Sequence, residues 1–402
     1  MTNQGYDAVT QRIGSVDISR PCAYVVVAAA AAACGGGAKA GGGGSASPGT
    51  KNVVFATASH YACAGQSVVA ADFDGDGVMD VAAGGGDGSA CILFGRGDGT
   101  FVDGFEVHAP TWPAPGSTIT QADVREFDAN GDGIADLFVG TSAHVYLYVG
   151  SSTRAFLPPI DFQATDAIGQ FALGDVDGDG TVDVVSSGGE FNSPYTYVNY
   201  LAKGAAKIRQ IASLQGMSPT TVFDLNGDGR GDIVGLAARI ALTGADGKPH
   251  AFQDYPMGFF ADGFAVGDVN GDGVVDAVAA VALTSDESAW AIVVRLGMRD
   301  GTFGDPIITT QGITRSSVSG ALSLGDIDGD GHLDLMVQSD TGFALFRGAG
   351  TGEFTRMPVN LSDVANLPNK VPIAFGDFDH DGRQDLAVLE GPTVAIVLNR
   401  TH

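Results

Sequence analysis

Along most of the chain, runs of four to seven apolar residues are separated by short polar, glycine-rich breaks. Three such runs recur in a fixed order around one acidic nonapeptide. The first precedes it, as in SVVAADFD, QFALGDVD, FAVGDVN, LSLGDID and IAFGDFD. The second follows it directly, as in DVAAG, DLFVG, DVVSS, DIVGL, DAVAA, DLMVQ and DLAVL. The third comes after a small-residue turn, as in CILFG, VYLYVG, AIVVRLG, FALFRG and VAIVLN. Runs this short, rich in Val, Ile, Leu and Phe and bounded by Gly and Asp, predict buried strands joined by tight turns. Helical spacing over ten or more residues is hard to find, so the predicted fold class is all-β.

The nonapeptide D-x-[DN]-x-D-G-x-x-D occurs seven times, starting at Asp72, Asp128, Asp175, Asp224, Asp268, Asp326 and Asp377, with 44 to 58 residues between starts. Three or four strands per unit of that length, arranged radially, describe the blades of a β-propeller. A blade cannot bury both faces alone, so neighbours must stack and the ring must close. The last unit has no segment for a fourth strand. The spare apolar segment Asn52 to Thr57 (NVVFAT) is predicted to supply it, closing the ring without a covalent link.

With the GDGTF-like turns at Gly97–Phe101 and Arg299–Phe303, these loops resemble the FG-GAP/VCBS repeats of integrin α-subunit propellers and of many bacterial surface proteins. The resemblance covers roughly Lys51 to His402. It implies a seven-bladed propeller with calcium loops joining the first and second strands on the lower face.

The loop chemistry independently suits Ca²⁺, which takes six to eight hard oxygen ligands in flexible geometry. In the first copy Asp72, Asp74, Asp76 and Asp80 offer carboxylates at positions 1, 3, 5 and 9, and Val78 offers a backbone carbonyl at position 7. The corresponding sets are Asp128, Asn130, Asp132, Ile134 and Asp136; Asp175, Asp177, Asp179, Thr181 and Asp183; Asp224, Asn226, Asp228, Arg230 and Asp232. The last three are Asp268, Asn270, Asp272, Val274 and Asp276; Asp326, Asp328, Asp330, His332 and Asp334; Asp377, Asp379, Asp381, Arg383 and Asp385. Position 6 is Gly in all seven, which permits the sharp turn around an ion. An EF-hand would need Glu at position 12 and flanking helices; the first copy has Ala83 there and strands on both sides. Up to seven structural Ca²⁺ are therefore expected.

Composition adds an exclusion. The chain has 21 basic against 47 acidic residues, a net charge of −26, which argues against binding a phosphate backbone. The motifs hold 25 of the aspartates, so the acidity is mostly metal-site inventory, not the mark of a basic partner. Glycine, at 60 of 402 residues, is about twice its usual share and punctuates the whole chain.

The first 34 residues read as a bacterial secretory signal. The apolar run Ala23 to Ala33 is too short to span a bilayer, and Ala31-Ala32-Ala33-Cys34 resembles a lipobox with Cys34 as the lipidation site. It departs from that pattern in having Ala three residues before the cysteine, and a cleaved signal without lipid is the other reading. Residues 35–50 are a Gly/Ser-rich tether, and 51–402 form the propeller. The expected location is the cell envelope, through the lipid anchor only, or the secreted fraction. Cys63 and Cys91 are the two cysteines of the folded part. An oxidising compartment invites a disulfide between them; against it, the pattern places them at the starts of two strands with a third between, which would leave them too far apart to bridge. Both possibilities stay open at this stage.

Function in such folds sits on irregular connections. Ligand-contacting candidates on the upper face are Trp112, Tyr195, Tyr255, Phe259, Trp290 and Arg315, because exposed aromatics and arginine anchor partners. Arg96-Gly97-Asp98 spells RGD but falls in a repeat turn and is read as drift. No nucleophile elbow, zinc-protease or phosphate-loop motif occurs. The expected function is an exported, calcium-stabilised binding or scaffolding module, monomeric, that recognises a protein or polysaccharide. The alternative is a lyase-like enzyme acting on extracellular polysaccharide.

Overall fold

The computed structural model describes residues 24–25, 53–84, 89–108, 123–141, 144–163, 171–190, 193–201, 208–215, 219–235, 238–315, 321–339, 342–357, 359–360 and 371–401. Among them there are strands and turns and no α-helix. Each nonapeptide joins the first two strands of a four-stranded antiparallel meander. In blade 1 these strands are Ser67–Ala71, Asp80–Gly84, Ser89–Gly95 and Phe101–His108. Blades 2 to 6 begin at Asp123–Phe127, Phe171–Gly174, Pro219–Phe223, Phe260–Gly267 and Leu322–Gly325 and repeat the order. Blade 7 has Ile373–Gly376, Asp385–Leu389 and Thr393–Val397. The chain is thus a seven-bladed β-propeller.

The fourth strand of blade 7 comes from the other end of the chain, but not from the expected segment. Ser59–Ala62 pairs antiparallel with Thr393–Val397, Ser59 opposite Ile396. Asn52 to Thr57 was predicted for that slot. Instead Val53–Val54 pairs in parallel with Val359–Asn360, and Phe55 bridges Asn399. The physical reason is hydrophobicity. The outermost strand of a blade is half solvated, which SHYA tolerates, whereas Val53 and Phe55 bury in the core between blades 6 and 7. Tyr24–Val25 forms a short parallel strand between Phe260–Gly267 and Leu322–Gly325, linking the sheets of blades 5 and 6.

Seven apolar clusters lie at the seven blade junctions. Blades 1 and 2 share Ile92 and Tyr146, blades 2 and 3 Phe138 and Phe171, and blades 3 and 4 Val198 and Ile233. The cluster between blades 7 and 1, with Val68, Leu93, Phe378 and Ile396, is built like the others, so the ring is continuous across the chain ends. Second strands such as Asp80–Gly84, Asp136–Gly140 and Asp276–Ala282 are buried throughout. Covered on both faces, they read as continuous apolar runs without alternation.

Cys63 and Cys91 form a disulfide, with Cα atoms 5.6 Å apart. The objection from an intervening strand fails because Cys63 does not belong to a strand of blade 1. It follows the outer strand of blade 7, which passes beside Ser89–Gly95 of blade 1, and both cysteines lie in the junction core.

An antiparallel meander puts the first-to-second and third-to-fourth connections on one face, the lower. The second-to-third and blade-to-blade connections lie on the opposite, upper face.

Candidate metal centres

One hydrogen-bond scheme shapes every loop. In loop 1, Asp72 Oδ1 accepts from the N–H groups of Gly75 (2.7 Å) and Asp76 (3.2 Å), and Oδ2 accepts from Gly77 (2.8 Å). Asp74 Oδ1 accepts from Asp76 N–H, and Asp76 Oδ1 from Val78 N–H. The bonds from the position-5 and position-6 N–H groups to the first aspartate recur at Asp128, Asp175, Asp224, Asp268, Asp326 and Asp377. To wrap the chain around that carboxylate, position 6 adopts a left-handed φ of 81° to 88° in all seven loops, which only glycine enters without strain.

The position-9 aspartate fastens the loop to the sheet. Asp80 Oδ2 accepts from Phe73 N–H (2.9 Å) and Oδ1 from Gly95 N–H at the end of the third strand (2.8 Å). Asp136, Asp232, Asp276, Asp334 and Asp385 do the same to their own blades, and Asp183 accepts from Val176 N–H. All seven are buried. Burial outweighs the two N–H donors and pushes Asp80, Asp276, Asp334 and Asp385 up to about 7, and Asp136 and Asp232 up to about 6, with other loop carboxylates adding to the rise.

Carboxylate oxygens of positions 1, 3 and 9 converge within 4.8 Å in four loops: Asp72, Asp74 and Asp80; Asp175, Asp177 and Asp183; Asp326, Asp328 and Asp334; Asp377, Asp379 and Asp385. These clusters could hold metal ions. In the other three loops position 3 is Asn130, Asn226 or Asn270, whose Oδ1 accepts the same position-5 N–H that Asp74 Oδ1 does. An amide oxygen thus takes the carboxylate's place with one charge fewer. The position-5 aspartates stay outside the triads, turned toward the position-7 N–H.

A direct test of fit comes from loop 7. The Asp379 side chain is 7 % exposed, and its Oδ1 is buried without a hydrogen-bond donor. A buried carboxylate oxygen without a donor, on a side chain clustered with Asp377 and Asp385, is a poor arrangement alone and a suitable one for a hard cation. The donor set is all oxygen, which suits Ca²⁺, Mg²⁺ or Mn²⁺ rather than a soft ion.

The upper-face candidates fare differently. Trp290 is 4 % exposed in the core between blades 5 and 6, and Tyr255 is 9 % exposed, edge-on to Phe303 between blades 4 and 5. Both were expected to contact a ligand, and both are junction core residues instead, because each blade needs large rings where its neighbour diverges. Arg315, 55 % exposed, pairs with Glu287 at 2.6 Å and stands 5.8 Å from the Trp290 ring. Phe259 is partly buried and its N–H donates to Ala282 O. Tyr195 lies on the strand Ser193–Leu201 opposite Gly188. Trp112 and Cys34 fall outside the described residues.

Sequence reasoning gave no role to His380. It holds position 4 of loop 7, where six loops have glycine, at a left-handed φ of 57°, and its Nε2 lies 3.1 Å from Gly77 O of loop 1. The departure from glycine was the available signal.

No curated protein sequence matches the chain. Among solved structures it is similar to an Agrocybe aegerita lectin that recognises non-reducing terminal N-acetylglucosamine, at 19% identity over 86% of each chain with a TM-score of 0.54. It is also similar to BBS1N, solved in complex with ARL6DN, at 12% identity over 86% of this chain and 97% of that one, with a TM-score of 0.53. At such identities the likeness concerns the fold. Residues 128–186, 268–337 and 326–388 match the FG-GAP-like repeat family, segments that contain loops 2, 3, 5, 6 and 7. The chain is thus a seven-bladed β-propeller that carries FG-GAP-like repeats in those three segments.

Proposed function

We propose that the protein is an exported binding or scaffolding module, stabilised by up to seven structural Ca²⁺, whose upper face recognises a protein or polysaccharide partner. One observation carries this reading. The acidic loops of the lower face share one hydrogen-bond scheme, while the segments that connect strands on the upper face differ in length and sequence from blade to blade. Equivalent loops in every blade suit a structural role, because a reaction needs one convergent set of groups. The solved relatives support recognition as a use of the architecture, one for a sugar and one for a protein. The Cys63–Cys91 disulfide supports an oxidising compartment, to which acylation at Cys34 and the tether after it would hold the propeller once processing has removed the segment with Tyr24–Val25.

Calcium affinity on the order of 10⁻⁴ to 10⁻³ M, as in extracellular modules, suits that setting. Elemental analysis of calcium-saturated protein should return about one Ca²⁺ per loop, and chelation should lower the melting temperature. An unchanged melting temperature in excess EDTA would reject the metal reading. A glycan array combined with a pull-down from envelope extract tests recognition. Trp112→Ala should weaken any partner found; binding that ignores the upper face and tracks lower-face variants would overturn the assignment of the surface.

A further inference from the structure

Loops 1, 6 and 7 each meet a cation of the protein's own. Arg154, from the third-to-fourth connection of blade 2, reaches across the junction to loop 1. Its Nε donates to Asp74 Oδ2 at 2.6 Å and its Nη2 to Asp76 Oδ2 at 3.1 Å, while its guanidinium lies 5.2 Å from the Phe94 ring. Arg347, on the third strand of blade 6, pairs with Asp328. Arg400, just past the third strand of blade 7, donates to Asp379 Oδ2 at 2.5 Å and stands 3.7 Å from Asp381. The three arginines come from non-equivalent places in their blades, yet each ends on the position-3 carboxylate. That carboxylate is nearly fully buried in all three cases.

The pattern follows charge. Position 3 is aspartate in four loops, and Asp74, Asp328 and Asp379 among them receive a guanidinium; in the other three loops it is an uncharged asparagine. A buried carboxylate without a partner is costly, and a guanidinium bonded to it removes most of that cost in a loop without metal. Once a divalent ion shares the same carboxylate, ion and guanidinium repel. The second oxygen of Asp379 stays clear of the arginine, so the two cations can coexist on opposite oxygens. They do so less favourably than either alone.

Resting on the metal reading above, we propose that Arg154, Arg347 and Arg400 are built-in counter-ions: they keep loops 1, 6 and 7 folded without metal and lower the affinity of those loops for calcium. They are positioning residues that act through the position-3 aspartate.

The experiment compares wild type with Arg154→Gln, Arg347→Gln, Arg400→Gln and Arg400→Lys, by thermal unfolding in EDTA and in saturating Ca²⁺ and by calcium titration. The glutamine variants should lose several degrees in EDTA and much less in calcium, so their calcium-induced shift grows. One site should bind calcium several-fold more tightly, and Arg400→Lys should recover part of the EDTA loss. Equal losses in both conditions would mean simple packing and would overturn the proposal, as would weaker calcium binding. Arg154→Gln, from an exposed turn, decides the matter should the strand variant Arg347→Gln not fold. A wild type whose melting ignores calcium would defeat the metal reading itself, a result visible before any variant is made.

Discussion

Trp290 shows how a single side chain changes role once its neighbours are known. At the upper end of a strand it looked like a platform for a ligand. In the ring its indole fills the wedge between blades 5 and 6 and its Nε1–H donates to Glu287 O at 3.1 Å. Trp290→Ala should therefore act on stability, costing about 3–5 kcal/mol as for other buried large-to-small changes. Denaturant unfolding measures that loss; a variant with wild-type stability and lost partner binding would restore the surface role. Repetition made the loop residues legible: Asp72, Gly77 and Asp80 recur in every copy, so their joint job could be read before any coordinates. His380 and Arg400 could not be read this way. Each occurs once, and Arg154 lies 80 residues from Asp74, a separation that no local pattern encodes.

At the scale of the loop, the position-9 aspartate ties the carboxylate cluster to the strand and to a proton. In the metal-free chain six of these groups, Asp80, Asp136, Asp232, Asp276, Asp334 and Asp385, have pKa values of about 6 to 7 because burial disfavours the charged form. Unfolded, an aspartate titrates near 3.9. Between about pH 4 and 7 the folded state therefore holds more protons than the unfolded one, and stability falls as pH rises through that window. Metal-free protein should melt higher at pH 5 than at pH 7.5, and calcium should flatten or reverse the order because the ion replaces the proton. Thermal scans at both pH values with and without calcium check this; a metal-free protein that is more stable at pH 7.5 would contradict it. The strands themselves were legible because a buried second strand reads as an unbroken apolar run. The donor strand of blade 7 is not legible from apolarity, because an outer strand such as Ser59–Ala62 needs little of it.

For the whole molecule, the blade count and the ring followed from seven repeats, since seven blades need seven junction cores and the seventh joins the two ends of the chain. The upper surface was not legible, because aromatic letters at strand ends do not reveal whether a ring points at solvent or at the next blade. Tyr255 and Trp290 show the second outcome.

The seam in blade 7 also has a mechanical meaning. A pull applied to the chain between Val25 and Val53 loads the short pairing with Val359–Asn360 on its carboxyl side, then peels Ser59–Ala62 from Thr393–Val397. Unravelling must halt at Cys63, because the bond to Cys91 ties that point to the third strand of blade 1. In a single-molecule stretching experiment the first rupture should release only the segment up to Cys63, leaving the other six blades intact. With reductant present, extension should run on into blade 1. A protein held by its amino-terminal side would in this way shed one strand under tension and keep its ring.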